Sequence, residues 1–315
     1  MLTFVARRLV QAVLVVFAAY VVSFVVLFLL PGDSVVSLYA GGDAGTAVDP
    51  AQLARLRAEF GFDRPLAVQF VTRLGAAFTG DFGHSLKTGR PVTDLIATAL
   101  PQTLTLVGVS LVIAVVGGGA LALLATYARR PWLRQTLMGL PSIGVSLPTF
   151  WVGLMLVQIF SFQLRAFPAI GNAGFASLVL PAITLALPGA AAVSQILAKS
   201  LRRTLAEPYV TTALAMGAKP AVIHFRDALR NAAIPALTMS GVLVANMIGG
   251  AVVVESVFSR AGLGQLTVSA VLSHDIPVVQ GVIVLGAVIF VLVSLAVDLA
   301  YPAIDPRLRS LVVKG

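Results

Sequence analysis

The sequence contains no cysteine. Disulfides, thiolate metal sites, a CxxC redox pair and a cysteine nucleophile are therefore all excluded. Charge is also scarce: Asp, Glu, Lys and Arg make up 11% of the 315 residues, against about 25% in soluble domains, and this excludes a soluble enzyme. None of the lysines (Lys87, Lys199, Lys219, Lys314) follows a glycine, so the chain has no P-loop, and any ATP in the system must be bound elsewhere. His84, His224 and His274 are too far apart for an i,i+4 metal pair, and each is expected as a solvated loop residue. No G-x-S-x-G elbow occurs, and no two carboxylates share an apolar segment at helical spacing. The expectation is a chain with no catalytic residue, no metal site and no cofactor of its own.

What the chain has is long apolar runs: 58% of its residues are hydrophobic and its mean hydropathy is +0.96. A bilayer core about 30 Å thick needs roughly 20 apolar helical residues. Six intervals qualify: Leu9 to Leu30, Leu95 to Ala128 (spanning from near Gln102), Gln135 to Leu164, Ala166 to Ala198 (spanning from near Ser177), Asn231 to Val254 and Ile276 to Val297. The alternating pattern of barrel strands is absent, so the reading is an all-α integral membrane protein with six transmembrane helices. The first run is too long for a signal peptide and ends in Leu-Leu-Pro-Gly-Asp with no A-x-A site, which makes it a retained signal-anchor helix.

The net charge of +9 acquires meaning once the basic residues are assigned to sides. With the N-terminus inside, Arg7, Arg8, Arg129, Arg130, Arg134, Lys199, Arg202, Arg203, Lys219, Arg226, Arg230, Arg307, Arg309 and Lys314 are cytoplasmic, whereas the short outer loops carry Arg165 and Arg260. The positive-inside rule then places both termini in the cytoplasm. Nucleic-acid binding is not implied.

Two connections are too long to be simple turns. The outer loop after the first span predicts one short helix from Asp49-Pro50, with Leu53, Leu56 and Phe60 at helical spacing, and a second from Pro65. On the inner side, Glu207-Pro208 starts a short helix that runs through Met216 and ends at Gly217, and Lys219-Pro220 starts another that runs into Asn231. About 30 residues of ordered backbone on that face (199–230) suggest a docking element.

Polar groups within the spans are few. Pro141 and Pro148 in the third span, and Pro181 and Pro188 in the fourth, are seven apart, which predicts two kinks on one face of each helix. Ser142, Ser146, Thr149, Gln158, Thr184, Ser194, Gln195, Ser240 and Asn246 are candidates to line a pathway or simply to bond helix backbone. The strongest pathway set is Ser146, Pro148, Pro181, Pro188, Gln195 and Asn246. Gly117-Gly118-Gly119 and Gly249-Gly250 are expected to allow close helix packing. Glu255 and Asp298, near span ends, are expected to reach water or a neighbouring Arg, with Arg307 or Arg309 as the partner for Asp298.

The stretch Glu207-Pro-Tyr-Val-Thr-Thr-Ala-Leu-Ala-Met-Gly217, followed by Phe225-Arg-Asp-Ala-Leu-Arg-Asn-Ala-Ala-Ile-Pro235, resembles the cytoplasmic loop of permease subunits in the dipeptide and oligopeptide family of ABC importers. The resemblance extends along the chain, through Arg7-Arg8-Leu9, Phe28-Leu-Leu-Pro-Gly-Asp33, Gly80-Asp-Phe-Gly-His-Ser-Leu86, Pro101-Gln-Thr-Leu104, Glu255-Ser-Val-Phe-Ser-Arg-Ala-Gly-Leu-Gly264, Asp275-Ile-Pro-Val-Val-Gln-Gly281 and Asp305-Pro-Arg-Leu-Arg309. The long outer loop matches the first of the two permeases that such importers pair. Thr211, Leu214 and Met216 stand where the family usually has basic residues, and Ser294 where an Asn is common.

The resemblance implies a type I importer permease fold: an N-terminal helix (1–30), an extracytoplasmic loop (31–94), a five-helix permease core (95–305) and a cytoplasmic tail (306–315). It implies Glu207, Tyr209, Thr211, Thr212, Ala213, Gly217, Arg226 and Arg230 as the ATPase-docking residues. The implied partners are a second permease, two ATP-binding subunits that carry ATP and Mg, and an extracytoplasmic solute-binding protein, assembled in a bacterial cell membrane around a pathway for di- and oligopeptides. Family relatives also handle nickel chelates, glutathione and oligosaccharides. The reading from another class is an ion-coupled carrier or channel acting alone.

Overall fold

A computed structural model describes residues 2–29, 51, 54, 58, 61 and 63–304. The expected helix from Asp49-Pro50 and the tail beyond 304 lie outside the described residues, as does the Asp298 side chain. Ten helices of eight or more residues occur among the described residues: α1 (Leu2–Leu29), α2 (Leu66–Phe78), α3 (Val92–Tyr127), α4 (Pro131–Ser146), α5 (Thr149–Leu156), α6 (Ala176–Leu205), α7 (Pro208–Ala215), α8 (Leu229–Val257), α9 (Leu263–Leu272) and α10 (Ile276–Ile304). Wider π-helical segments, Val157–Gln163 and Ile223–Ala228, continue α5 and lead into α8. Four helices are long and apolar enough to cross a membrane, and the bent pairs Pro131–Ser146 with Thr149–Gln163 and Pro220–Leu237 with Gly241–Val257 bring the number to six if each is one span. The chain is all-α, as its composition requires.

The third span is not the doubly kinked helix expected from Pro141 and Pro148. Pro141 lies within α4, while Pro148 caps the start of α5, and the two segments meet at 103°. The cause is local: a residue before proline is driven out of the α region, and Leu147 is extended with ψ 130°. The two prolines thus belong to different helices and share no face. Pro181 and Pro188 both lie inside the continuous helix α6. That helix also runs past Ala198 to Leu205, so Lys199, Arg202 and Arg203 occupy its last turns rather than a loop.

The chain forms two compact units, one from Thr103–Arg260 with the end of α10 from Val293, the other from Leu2–Gln102 with Ala261–Leu292. In the first unit α3, α6 and α8 pack through Leu106, Val107, Leu180, Leu185, Met247, Ala251, Val254 and Phe258. The approach of α3 to α6 is close: a Cβ on Gly118 would lie 2.3 Å from the Ala190 carbonyl oxygen, whereas Gly117 and Gly249 face open space. Of the expected close-packing glycines, Gly118 has that role, and so does Gly250, where a Cβ would lie 3.1 Å from Leu185 Cδ1. A smaller cluster, Ala122, Leu197, Leu201, Ala228 and Ala232, holds the far ends of α3, α6 and α8 together. In the second unit Val92, Ile96 and Ala99 pack on Leu263 and Ala270 of α9 and on Val278 and Val279 of α10. Helix α9 was not foreseen, because its ten residues are too short for a span.

Candidate functional site

Helix α7 begins where proline at its first position fits a helix start, with Glu207 extended before it. It ends in a Schellman arrangement: Ala218 N–H donates to the Ala213 carbonyl at 3.0 Å and Gly217 N–H to that of Leu214 at 3.0 Å, with Gly217 at φ +85°. The chain then reverses, and Pro220–Val222 starts the return toward α8.

What α7 leaves in the open matters more than what it buries. Val210 is its buried anchor, whereas Glu207, Tyr209, Thr211, Thr212, Leu214 and Met216 are exposed and Ala213 is half-buried. Met216 is 82% exposed. Tyr209 and Leu214 on this eight-residue helix, and Met216 just past its end, are exposed apolar side chains on an element that is not itself a span candidate. Arg226 and Arg230 are exposed on the return segment, and Arg226 pairs loosely with the adjacent Asp227 at 3.9 Å. Asn231 Nδ2 donates to the Tyr209 hydroxyl at 3.5 Å, tying α7 to the start of α8.

The return segment is fastened to α3 by His224, which is 4% exposed and not the solvated histidine expected. Its Nε2 lies 3.2 Å from Thr126 Oγ1 and 3.3 Å from the Leu123 carbonyl, and its ring packs on Tyr127 and Phe225. Burial pushes its pKa below the ordinary value, only partly offset by the Leu123 bond. His84 and His274 are exposed.

The pathway candidates divide into two groups. Ser146 donates to the Ser142 carbonyl at 2.8 Å and Thr184 to that of Leu180 at 2.8 Å, so both hydroxyls serve their own helices. Pro181 is buried, Pro188 half-buried and Pro148 exposed. Gln195 on α6 and Asn246 on α8 are exposed on helices that pack together through Leu185, Met247 and Ala251. An exposed amide in a membrane span needs a polar partner or water-filled space.

Two acids are buried, and one of them, Glu255, lies where the sequence suggested easy access to water. Glu255 is fully buried and accepts a bond from Thr103 Oγ1 at 2.6 Å. Buried Arg260, five residues on, feels its charge and donates from Nη1 to the Ser177 carbonyl at 3.0 Å and the Gly171 carbonyl at 3.4 Å. Desolvation of this guanidinium pulls its pKa down, and Glu255 opposes that fall. Neither group snorkels, because the turn after α8, with Ser259 at φ +46°, folds Arg260 back beneath the 171–177 loop. In the other unit Asp275 is buried and accepts from Ser85 Oγ at 2.5 Å, Leu86 N–H at 3.1 Å and Lys87 N–H at 3.4 Å. Two sequence landmarks far apart in the chain thereby become a single latch. Their spacing carried no signal of it.

Comparison with known proteins agrees with this architecture. Residues 118–310 match the family described as binding-protein-dependent transport system inner membrane component, and residues 1–107 match its N-terminal component. The chain is 37% identical to a probable peptide ABC transporter permease protein, y4tP, of Sinorhizobium fredii, over 97% of this chain and 99% of that one. It is 37% identical to the glutathione transport system permease protein GsiC of Escherichia coli, over 98% and 99%. Among solved structures, the inward-facing MetNI methionine ABC transporter shares the fold, with a TM-score of 0.57 at 20% identity, covering 68% of this chain and 97% of that one. The chain belongs to the family of binding-protein-dependent transport system inner membrane components, as a multi-pass permease subunit of an ABC importer.

Proposed function

We propose that this permease forms half of the pathway for short peptides delivered by an extracytoplasmic binding protein, and that α7 is its contact with the ATPase. The observation that carries the docking assignment is the short, rigidly terminated helix that leaves Tyr209, Leu214 and Met216 exposed, between the basic turns of α6 and the return segment. Glu207, Thr211, Thr212 and Ala213 complete the docking element, Gly217 fixes its end, and Arg226 and Arg230 follow on the return segment. The N- and C-termini and α7 are cytoplasmic in this reading, in keeping with the distribution of basic residues.

ATP and Mg belong to two partner ATPases, which leaves this chain without a catalytic role. ATP-driven closure of the ATPases moves the docked helix, and the His224 fastening passes that motion to α3 and α8. The core then exchanges inward for outward opening. Gln195 and Asn246, with exposed Ser146 and Pro148, line the pathway shared with the second permease, while Pro181, buried, and Pro188, half-buried, shape α6 from within. Peptide cargo is supported by the peptide and glutathione designations of relatives that match over nearly the whole chain.

The absence of cysteine makes a direct test simple. A Met216→Cys variant has a single thiol, and a short thiol-reactive cross-linker should join it to the ATPase in the assembled importer, with a yield that changes when ATP is bound. A cysteine at exposed Val112, in α3, should not cross-link. Failure of Met216→Cys to cross-link in complexes that still hydrolyse ATP would remove the docking assignment.

A further inference from the structure

In the unit that contains Thr103–Arg260, helices α3, α6 and α8 bound a half-open groove of about 340 Å³. It extends from Val115 to Leu123 along α3 and from Leu229 to Leu237 along α8. At the α-helical rise this is about 12 Å, most of the hydrocarbon depth of one leaflet, about 15 Å. The depression exists because Gly119 on one wall and Ala233 on the other carry almost no side chain; a Cβ on Gly119 would only touch Leu197 Cδ2 of α6, at 3.9 Å. Every lining residue is apolar. A peptide lying there would leave its amide groups without partners, whereas a hydrocarbon chain leaves no polar group unsatisfied.

Charge at the α7-side end of the groove supplies a second, different observation. His224 fastens the 223–228 segment to Leu123 and Thr126 of α3, so the residues that follow α3 and those that lead into α8 gather at one end. Arg129, Arg130, Arg226 and Arg230 are exposed there, and Asp227 is only loosely paired with Arg226, at 3.9 Å. Arg230 and Ala233 are three apart in α8 and therefore share a face. Helical side chains lean toward the N-terminus, which carries the Arg230 guanidinium past the end of the groove toward the membrane surface. An apolar trough and a cationic rim together match one amphiphile, its chain in the trough and its phosphate on a guanidinium, as basic groups at the end of a span attract anionic lipid.

We propose that this groove holds an acyl chain of an anionic phospholipid from the leaflet on the α7 side, with the lipid phosphate on Arg230 and the Arg129–Arg130 pair. The lipid then bridges α3, α6 and α8 where the cluster of Ala122, Leu197 and Ala232 already holds their ends together. The site excludes Gln195 and Asn246, and it depends neither on peptide cargo nor on which side of the membrane α7 faces. Arg230 also follows the docking element, so the test reads lipid binding and not ATPase activity.

The test uses the assembled permease and ATPase complex, stripped of lipid in detergent and titrated with dioleoyl phosphatidylglycerol, with bound lipid read by native mass spectrometry. Dioleoyl phosphatidylcholine controls for charge and dihexanoyl phosphatidylglycerol for the chain. The most tightly held phosphatidylglycerol should bind at least tenfold more tightly than either control. Ala233→Phe, which fills the groove, should weaken that lipid at least tenfold, and Arg230→Gln should erase most of the preference over phosphatidylcholine. Equal binding of either control, or unchanged binding in assembled Ala233→Phe complexes, overturns the proposal. If the variants fail to assemble, a phosphatidylglycerol with a diazirine in its acyl chain decides on the unaltered complex: irradiation should label 115–123 and 229–237, and the matching phosphatidylcholine should label them less. Labelling that misses both segments overturns the proposal and leaves the groove to the second permease.

Discussion

Replacing Gly217 should damage coupling in an order set by backbone conformation and not by side-chain size. Gly217 has φ +85°, and a Cβ built there meets nothing within 4 Å, so a substituent has room but the wrong backbone. An L-residue in the left-handed region costs about 1–2 kcal/mol, with Asn among the best tolerated; a β-branched residue is worse still. Without that residue the bonds from Gly217 N–H and Ala218 N–H cannot form together, and α7 loses its fixed end. A cost of this size lowers the population of the docking-competent element about 5- to 30-fold. Substrate-stimulated ATPase activity of the reconstituted importer, measured at limiting ATPase, should therefore fall in the order Gly, Asn, Ala, Val, with Asn losing at most a few-fold and Ala between about 5- and 30-fold. If Ala retained more activity than Asn, size would be the controlling variable and the Schellman account of the lever would be refuted.

Other consequences can be checked separately. Because α7 presents Leu214 and Met216 where the family usually has basic residues, its association with the ATPase should be little affected by raising salt from 0.1 to about 0.5 M, as read by complex recovery on size exclusion; a tenfold loss would assign docking to Arg226 and Arg230 instead. His224 is buried with a lowered pKa, so its neutral form favours the fold: the stability it contributes is fully present above about pH 6.5 and is lost as pH falls from there toward the lower folded value. The melting temperature in nanodiscs should drop across that window, and His224→Gln should flatten part of the drop. Arg260→Met removes the cation beside fully buried Glu255 and should cost about 3–5 kcal/mol, with the double variant Arg260→Met, Glu255→Gln regaining part of it in thermal unfolding; an additive double variant would show that the two do not interact.

Much of this was legible in the sequence because its causes are local. Apolar run length specifies helices that span a bilayer, and Glu207-Pro208 and Lys219-Pro220 mark helix starts through proline geometry alone. Gly217 marks an end because few other residues accept a positive φ. The errors came where tertiary structure decides. Pro148 reads as a kink, but the outcome depends on whether the following segment continues the axis, and here it turns through 103°. Pro181 and Pro188 read identically and lie within one continuous helix, packed into the unit's core. His224 reads as a solvated group, Glu255 as an interfacial one, and Asp275 only as part of a landmark. Each is buried by elements distant in sequence: His224 by α3, Glu255 beside Thr103, Asp275 by the 85–87 turn. No spacing rule predicts such pairings.

The most direct test is uptake into proteoliposomes of a labelled dipeptide by the complete importer, with its second permease, ATPases and binding protein. Uptake should require ATP and the binding protein, and should fall to background with Gly217→Val here while the complex stays assembled. If instead this chain alone carried the peptide down a proton or sodium gradient, with no ATPase present, the account would be contradicted.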